Sequence, residues 1–156
     1  MPMSLDWESI FVLTVGVLLV AVSLTIHAAF MFLILRVQSR LRSGILASAR
    51  GLFLLVPSIL TATVFISLSC LLQITLWGQV LWHMGPFDSL REAMYFSSTT
   101  YTTLGTAKHV LVPPYRALEP MEATTGMLVS GLNTAILFAI LVSLGRNRSD
   151  FEEFFR

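Results

Sequence analysis

The chain has 156 residues, of which 55% are hydrophobic and 12% charged, with a mean hydropathy of +0.78 and a formal net charge of +1. That balance excludes an ordinary water-soluble domain and places the chain in a lipid bilayer. Spans of bilayer length leave little for a soluble catalytic lobe, and no phosphate loop, metal-ligand cluster or nucleophile with a partnered base points to an enzyme. No basic run with interleaved aromatics points to nucleic acid.

Residues 10–35 carry no formal charge and extend about 39 Å as a helix, enough to cross a membrane with some tilt. The run is too long for the core of a signal peptide, and Asp6 and Glu8 stand where a basic leader would be. Residues 1–36 therefore read as an N-terminal peripheral transmembrane helix. His27 is the titratable group within it, read as a neutral hydrogen-bonded imidazole, with a proton sensor as the competing reading. The helix lacks the spaced arginines of a voltage sensor.

Residues 37–50 form a basic loop with Arg40, Arg42 and Arg50, just after Arg36. A second apolar run follows over 51–82. Pro57 lies near its start, at a first-turn or kink position, and Trp77, Trp82 and His83 mark an interfacial aromatic belt at its end. Cys70, the one cysteine, has no partner for an intrachain disulfide and reads as a small core residue rather than a reactive thiol.

Residues 88–98 read as a short amphipathic helix. Pro86 precedes it, Asp88 is placed to cap it and Glu92 falls in its first turns. It is too short to span. The segment after it, Ser97-Ser98-Thr99-Thr100-Tyr101-Thr102-Thr103-Leu104-Gly105-Thr106-Ala107-Lys108, holds five threonines around Gly105. Irregular backbone is tolerated at membrane depth only where it is buried in protein or lines a watery cavity. A short helix followed by a polar, glycine-containing strand between two spans is thus expected to dip back into the membrane. Threonine hydroxyls and backbone carbonyls then replace the hydration shell of an ion, and Gly105 permits the turn that aims them.

The third span runs from 118 to 145, and residues 146–156 read as a short cytoplasmic tail with no ligand-binding domain. Seven of the ten basic residues, Arg36, Arg40, Arg42, Arg50, Arg146, Arg148 and Arg156, lie in the loop after the first span or beyond the third. The positive-inside rule makes those segments cytoplasmic and puts the N-terminus and residues 83–120 outside.

From about residue 52 to 145 the sequence resembles the potassium-channel superfamily, specifically the bacterial two-transmembrane pore module of the ion-channel type. Tyr95, Phe96 and Ser97, followed by Thr100, Tyr101, Thr102, Thr103, Leu104 and Gly105, match the aromatic-aromatic-Ser and Thr-x-Thr-Thr-Val-Gly of family pores. Arg116, Leu118, Glu122 and Gly126 resemble the start of the bacterial inner helix. The resemblance implies an all-α membrane protein with three transmembrane helices, a re-entrant pore helix (88–98) and a filter loop (100–107). The 51–145 pore module, with outer helix 51–82 and inner helix 118–145, would assemble as a homotetramer. Its filter would be Thr102, Thr103, Leu104, Gly105 and Thr106, with K+ or Na+ held at Thr103 and Leu104 and no other cofactor. Lys108, Glu119 and Glu122 would stand at the pore mouth. Gly126 and Gly131 permit helix packing or a gating bend, and Asn133 makes an interhelical hydrogen bond or an ion contact.

The chain departs from the family where Tyr-Gly-Asp is replaced by Thr106, Ala107 and Lys108. The upper half of the filter loses its aromatic brace and second glycine, so weak selectivity is expected. Lys108 pairs with Glu119 or Glu122, or points outward. The function implied is passive monovalent cation conduction across a multi-pass plasma membrane, the inner membrane of a bacterium. The alternatives are a non-conducting structural or regulatory subunit derived from a channel, and an anion path at Lys108.

Overall fold

The structure is a computed structural model that describes residues 6–43, 52–105 and 110–145. All regular elements among these residues are helical: α1 (Trp7–Ser43), α2 (Leu52–Met84), α3 (Leu90–Tyr101) and α4 (Leu118–Gly145), with a 3₁₀ turn (Tyr115–Ala117) leading into α4. Three of them are long and apolar enough to cross a membrane, over Trp7–Leu41, Val56–Met84 and Tyr115–Ser143. This is an all-helical, multi-pass membrane protein.

The spanning helices form because their backbone groups have no other partner in hydrocarbon, and their outward threonines are turned back on the helix itself. Thr14 donates to the Ile10 carbonyl, Thr25 to Ala21 and Thr75 to Leu71, each at 2.8 Å. Thr124 donates to the Pro120 carbonyl at 2.7 Å. Large apolar side chains such as Phe11, Phe32, Leu60, Leu71 and Phe138 stand exposed on the single chain. Faces of that kind suit lipid or a neighbouring subunit, not water.

Two boundaries differ from expectation. α1 continues through residues 37–43, which the charge pattern assigns to a loop, and the rest of that loop, 44–50, lies outside the described residues. No glycine or proline interrupts residues 36–43, and arginine, glutamine and leucine are good helix formers. Gln38 donates to the Ser58 carbonyl at 2.7 Å and ties this end of α1 to α2. The helix of Leu52–Met84 also runs across Pro57 without interruption, as transmembrane helices tolerate.

α1 and α2 are antiparallel, as their cross-helix contacts show. Trp77 Nε1 donates to Ser23 Oγ at 3.1 Å, His27 Nδ1 lies 3.2 Å from Ser69 Oγ, and Gln38 meets Ser58. α1 also packs on α4, and α3 is held between α2 and α4. One core cluster, with Val12, Leu19, Trp77, Leu81, Phe96 and Leu118, joins all four helices at one end. The rings of Phe87 and Phe96 lie there 5.1 Å apart. A second, of Ile34, Ala62, Ile136 and Ile140, joins α1, α2 and α4 at the other.

Trp77 is fully buried. Replacing it by alanine is expected to cost about 3–5 kcal/mol, the usual penalty for a large aromatic cavity. Trp77→Phe, which loses chiefly the bond to Ser23, should cost about 1 kcal/mol. Denaturation of the two variants in micelles, followed by circular dichroism, checks the order.

Candidate functional site

α3 has 12 residues and is capped by Ser89, whose backbone is extended (φ −137°, ψ 145°) and whose hydroxyl accepts the Glu92 amide at 3.3 Å. Ser89, and not Asp88, is therefore the cap. The signal was present in the sequence as Ser-x-x-Glu, a pair in which the cap hydroxyl meets the amide of the acidic residue three positions on. Within α3, Ser98 donates to the Met94 carbonyl at 2.7 Å and Thr99 to Phe96 at 2.9 Å.

Contacts along α3 show its course. Gly78, near the end of α2, leaves room for Met94 and Ala93, Ser97 donates to the Ile74 carbonyl at 2.8 Å, and Tyr101 donates to Gln73 Oε1 at 3.1 Å. On the other side Ser97 meets Glu122, and the Tyr101 carbonyl abuts Gly126. α3 thus runs antiparallel to α2 and parallel to α4. It ends beside Gln73 and Gly126, near the middle of two spans. α4 begins at Leu118, about two helical turns before Gly126, so the start of α4 lies on the order of 12 Å from the level at which α3 ends.

The first stretch after α3 is where the filter is expected. Thr100 and Tyr101 belong to the end of the helix, which narrows the expected 100–107 loop. Thr103 has φ 61° and Gly105 φ 73°, both left-handed. For a threonine that conformation costs on the order of 1–2 kcal/mol and persists only where surroundings impose it. What imposes it is the capping of α3: the Thr103 amide donates to the Thr100 carbonyl at 2.9 Å and the Gly105 amide to the Thr99 carbonyl at 3.0 Å. Thr102 Oγ1 donates to the Ser98 carbonyl at 2.7 Å. Residues 102–105 are all exposed, Leu104 to 79%. In the single chain this segment is a turn folded onto the helix end, not an extended row of outward carbonyls. Thr106, Ala107 and Lys108 lie outside the described residues.

The expected pore-mouth carboxylates separate. Glu119 is half-buried in the first turn of α4. Glu122, expected at the pore mouth, is fully buried within the single chain, against Ser97. The cause is register: from Leu118, one further turn carries position 122 onto the face that α3 covers. The Ser97 hydroxyl has one proton to give, and both the Ile74 carbonyl and Glu122 Oε1 surround it. A carboxyl or amide at 122 that donates its own proton to Ser97 leaves the Ser97 proton for the Ile74 carbonyl, while Glu122 Oε2 is buried with no partner among the described residues.

Gly126 is a packing position, since a Cβ there would overlap the Tyr101 carbonyl oxygen. Gly131 has open space around it and makes no such contact within the chain. Asn133 Nδ2 lies 3.9 Å from Cys70 Sγ, an interhelical contact of α4 with α2, while its Oδ1 is buried with no partner among the described residues. No group of three or more His, Cys, Asp or Glu positioned for a metal occurs among the described residues.

A buried polar chain connects α1 to the end of α3 and was not expected. His27 meets Ser69 Oγ, Gln73 Nε2 donates to Ser69 Oγ at 3.1 Å, and Tyr101 donates to Gln73. The sequence held a signal for it: Ser23 and His27 on one helix, and Ser69, Gln73 and Trp77 on the next, recur every four residues and so share a face.

Comparisons with family models, with curated proteins and with solved structures gave no match.

Glu122→Gln, which keeps shape and a donor, is expected to leave stability within about 1 kcal/mol, whereas Glu122→Leu leaves Ser97 only its bond to the Ile74 carbonyl and costs about 1–2 kcal/mol. Gly126→Ala should be worse than either, because backbone must move to admit the methyl. Thermal unfolding in nanodiscs ranks the three variants.

Proposed function

We propose that the chain is one subunit of a homotetrameric, weakly selective cation channel that conducts K+, and also Na+, passively. The observation that carries this reading is the course of α3. It stops close to mid-height of the spans and is followed by an exposed, threonine-rich turn with left-handed Thr103 and Gly105. Irregular polar backbone at that depth has no place against lipid. It suits a re-entrant loop beside a watery axis, and one such loop encloses nothing without symmetry mates.

In this reading Thr102, Thr103, Leu104, Gly105 and Thr106 supply the oxygen atoms, with a permeant K+ or Na+ at Thr103 and Leu104. The exposed apolar faces of the chain then meet neighbouring subunits and lipid. The helix end of α3 turns the negative end of its dipole toward the axis, which favours a cation below it. Lys108 lines the outer mouth near Glu119. The clustering of arginine orients the N-terminus outward and the C-terminus into the cytoplasm of a cell bounded by that membrane. Conduction requires the carbonyls of Thr102, Thr103 and Leu104 to face the axis, so the turn they form in the single chain opens toward an extended form on assembly.

The second reading is a non-conducting structural or regulatory membrane subunit. Two features favour it: the α3 carbonyls are already capped by the Thr103 and Gly105 amides, and the Tyr-Gly-Asp of selective relatives is replaced by Thr106, Ala107 and Lys108.

Purified protein in liposomes with a K+ gradient is expected to pass K+ and, more slowly, Na+. Absence of flux at every voltage and pH removes the channel reading, and chloride-only flux favours an anion path at Lys108. The combined change Thr106→Tyr, Ala107→Gly and Lys108→Asp should raise the K+ to Na+ permeability ratio, measured from reversal potentials. An unchanged ratio places the filter elsewhere.

A further inference from the structure

The buried chain His27–Ser69–Gln73–Tyr101 has no part in the ion path itself. Its four residues come from three helices, and each is nearly or fully buried: His27 at 1%, Ser69 and Gln73 at 0% and Tyr101 at 5% exposure. Polar groups placed at the centre of a bilayer protein are costly, and apolar packing would hold three helices together without them. What hydrogen bonds add is direction: they fix one rotamer and one register, where apolar contacts accept several.

The chain of bonds ends at the last residue of α3, immediately before the turn. Tyr101 is gripped twice, its phenol by Gln73 Oε1 at 3.1 Å and its backbone carbonyl by the close approach of Gly126. The next residues hang from the same helix end, through the Thr103 amide on the Thr100 carbonyl and the Gly105 amide on the Thr99 carbonyl. A shift of Tyr101 therefore moves Thr99 and Thr100 and, with them, residues 102–105. Gln73 is in turn held by Ser69, and Ser69 by His27 of α1, a helix that lies outside the two-helix module to which the sequence has its resemblance.

We infer that His27, Ser69 and Gln73 are positioning residues, which set the place of Tyr101 and of the Thr102–Gly105 turn and so couple α1 to the ion path. The consequence for conduction rests on the channel reading above; the tether itself does not.

The test uses the full chain in nanodiscs and in liposomes, with His27→Leu, Gln73→Leu and Tyr101→Phe as separate changes and His27→Asn as the conservative control. Hydrogen exchange of a peptide covering 99–105 is expected to quicken roughly tenfold in each of the first three, the factor that corresponds to one lost hydrogen bond. Exchange in the second half of α4, around Ile136 and Ile140, should not change, and His27→Asn, which restores a polar partner for Ser69, should return the 99–105 peptide toward its original rate. Unchanged exchange at 99–105, or acceleration spread evenly over all helices, overturns the inference. In liposomes the same three variants should shift the K+ to Na+ permeability ratio, measured from reversal potentials, away from that of the unaltered protein and of His27→Asn. Flux in the unaltered protein with ratios identical in all variants also overturns the coupling of α1 to the path. Absent flux in the unaltered protein, together with local quickening at 99–105, leaves the tether standing and removes the channel reading alone.

Discussion

The arrangement depends on a helix that cannot cross the membrane. With 12 residues, α3 reaches about 18 Å, little more than half the hydrocarbon thickness, and its C-terminal end lies beside Gln73 and Gly126, part-way along the two long helices. The four carbonyls at such an end have no partner in the helix, and in a bilayer they find no water unless the fold supplies it. Every neighbouring feature answers this constraint. Amides of Thr103 and Gly105 fold back to cap the end, Gln73 takes the Tyr101 phenol, and Gly126 lets α4 approach the backbone itself.

Polar side chains divide into two kinds on this basis. Threonines facing outward, such as Thr14, Thr25 and Thr75, satisfy themselves on the carbonyl one turn back and carry no information about neighbours. Those facing inward pair across helices and specify register: Trp77 with Ser23, Ser69 with His27, Gln38 with Ser58, Ser97 with Glu122. A one-residue slip of α2 on α1 would strand all three of the α1–α2 bonds at once. Apolar contacts between Val12, Leu81 and Leu118 contribute attraction but tolerate such slips far better.

Much of the architecture was legible in the chain, because membrane spans announce themselves by length and absence of charge. The three spans follow from that signal alone, and the short helix and the break at Gly105 from the amphipathic pattern and the threonine-glycine run between the spans. The reading went astray where two local cues competed. Basic residues at 36–43 suggested a loop, yet helix propensity and the bond from Gln38 carried α1 to Ser43. Asp88 looked like a cap, yet the Ser89 hydroxyl reaches the amide of Glu92. Glu122 is set at the mouth by the resemblance alone, and in the structure Ser97 offers it a partner in the interior.

What the sequence determined by itself is the solvent and the number of crossings, since hydropathy is a sum over nearby residues and needs no knowledge of partners. It also carried the helix periodicity that puts Ser69, Gln73 and Trp77 on one face. Which face meets which was decided only in three dimensions. The pairing of Gln73 with Tyr101, the burial of Glu122 and the fit of Gly126 to a carbonyl join residues 25 or more positions apart. Such contacts depend on the rotation and relative height of whole helices, quantities that no local pattern encodes and that packing and buried hydrogen bonds settle together.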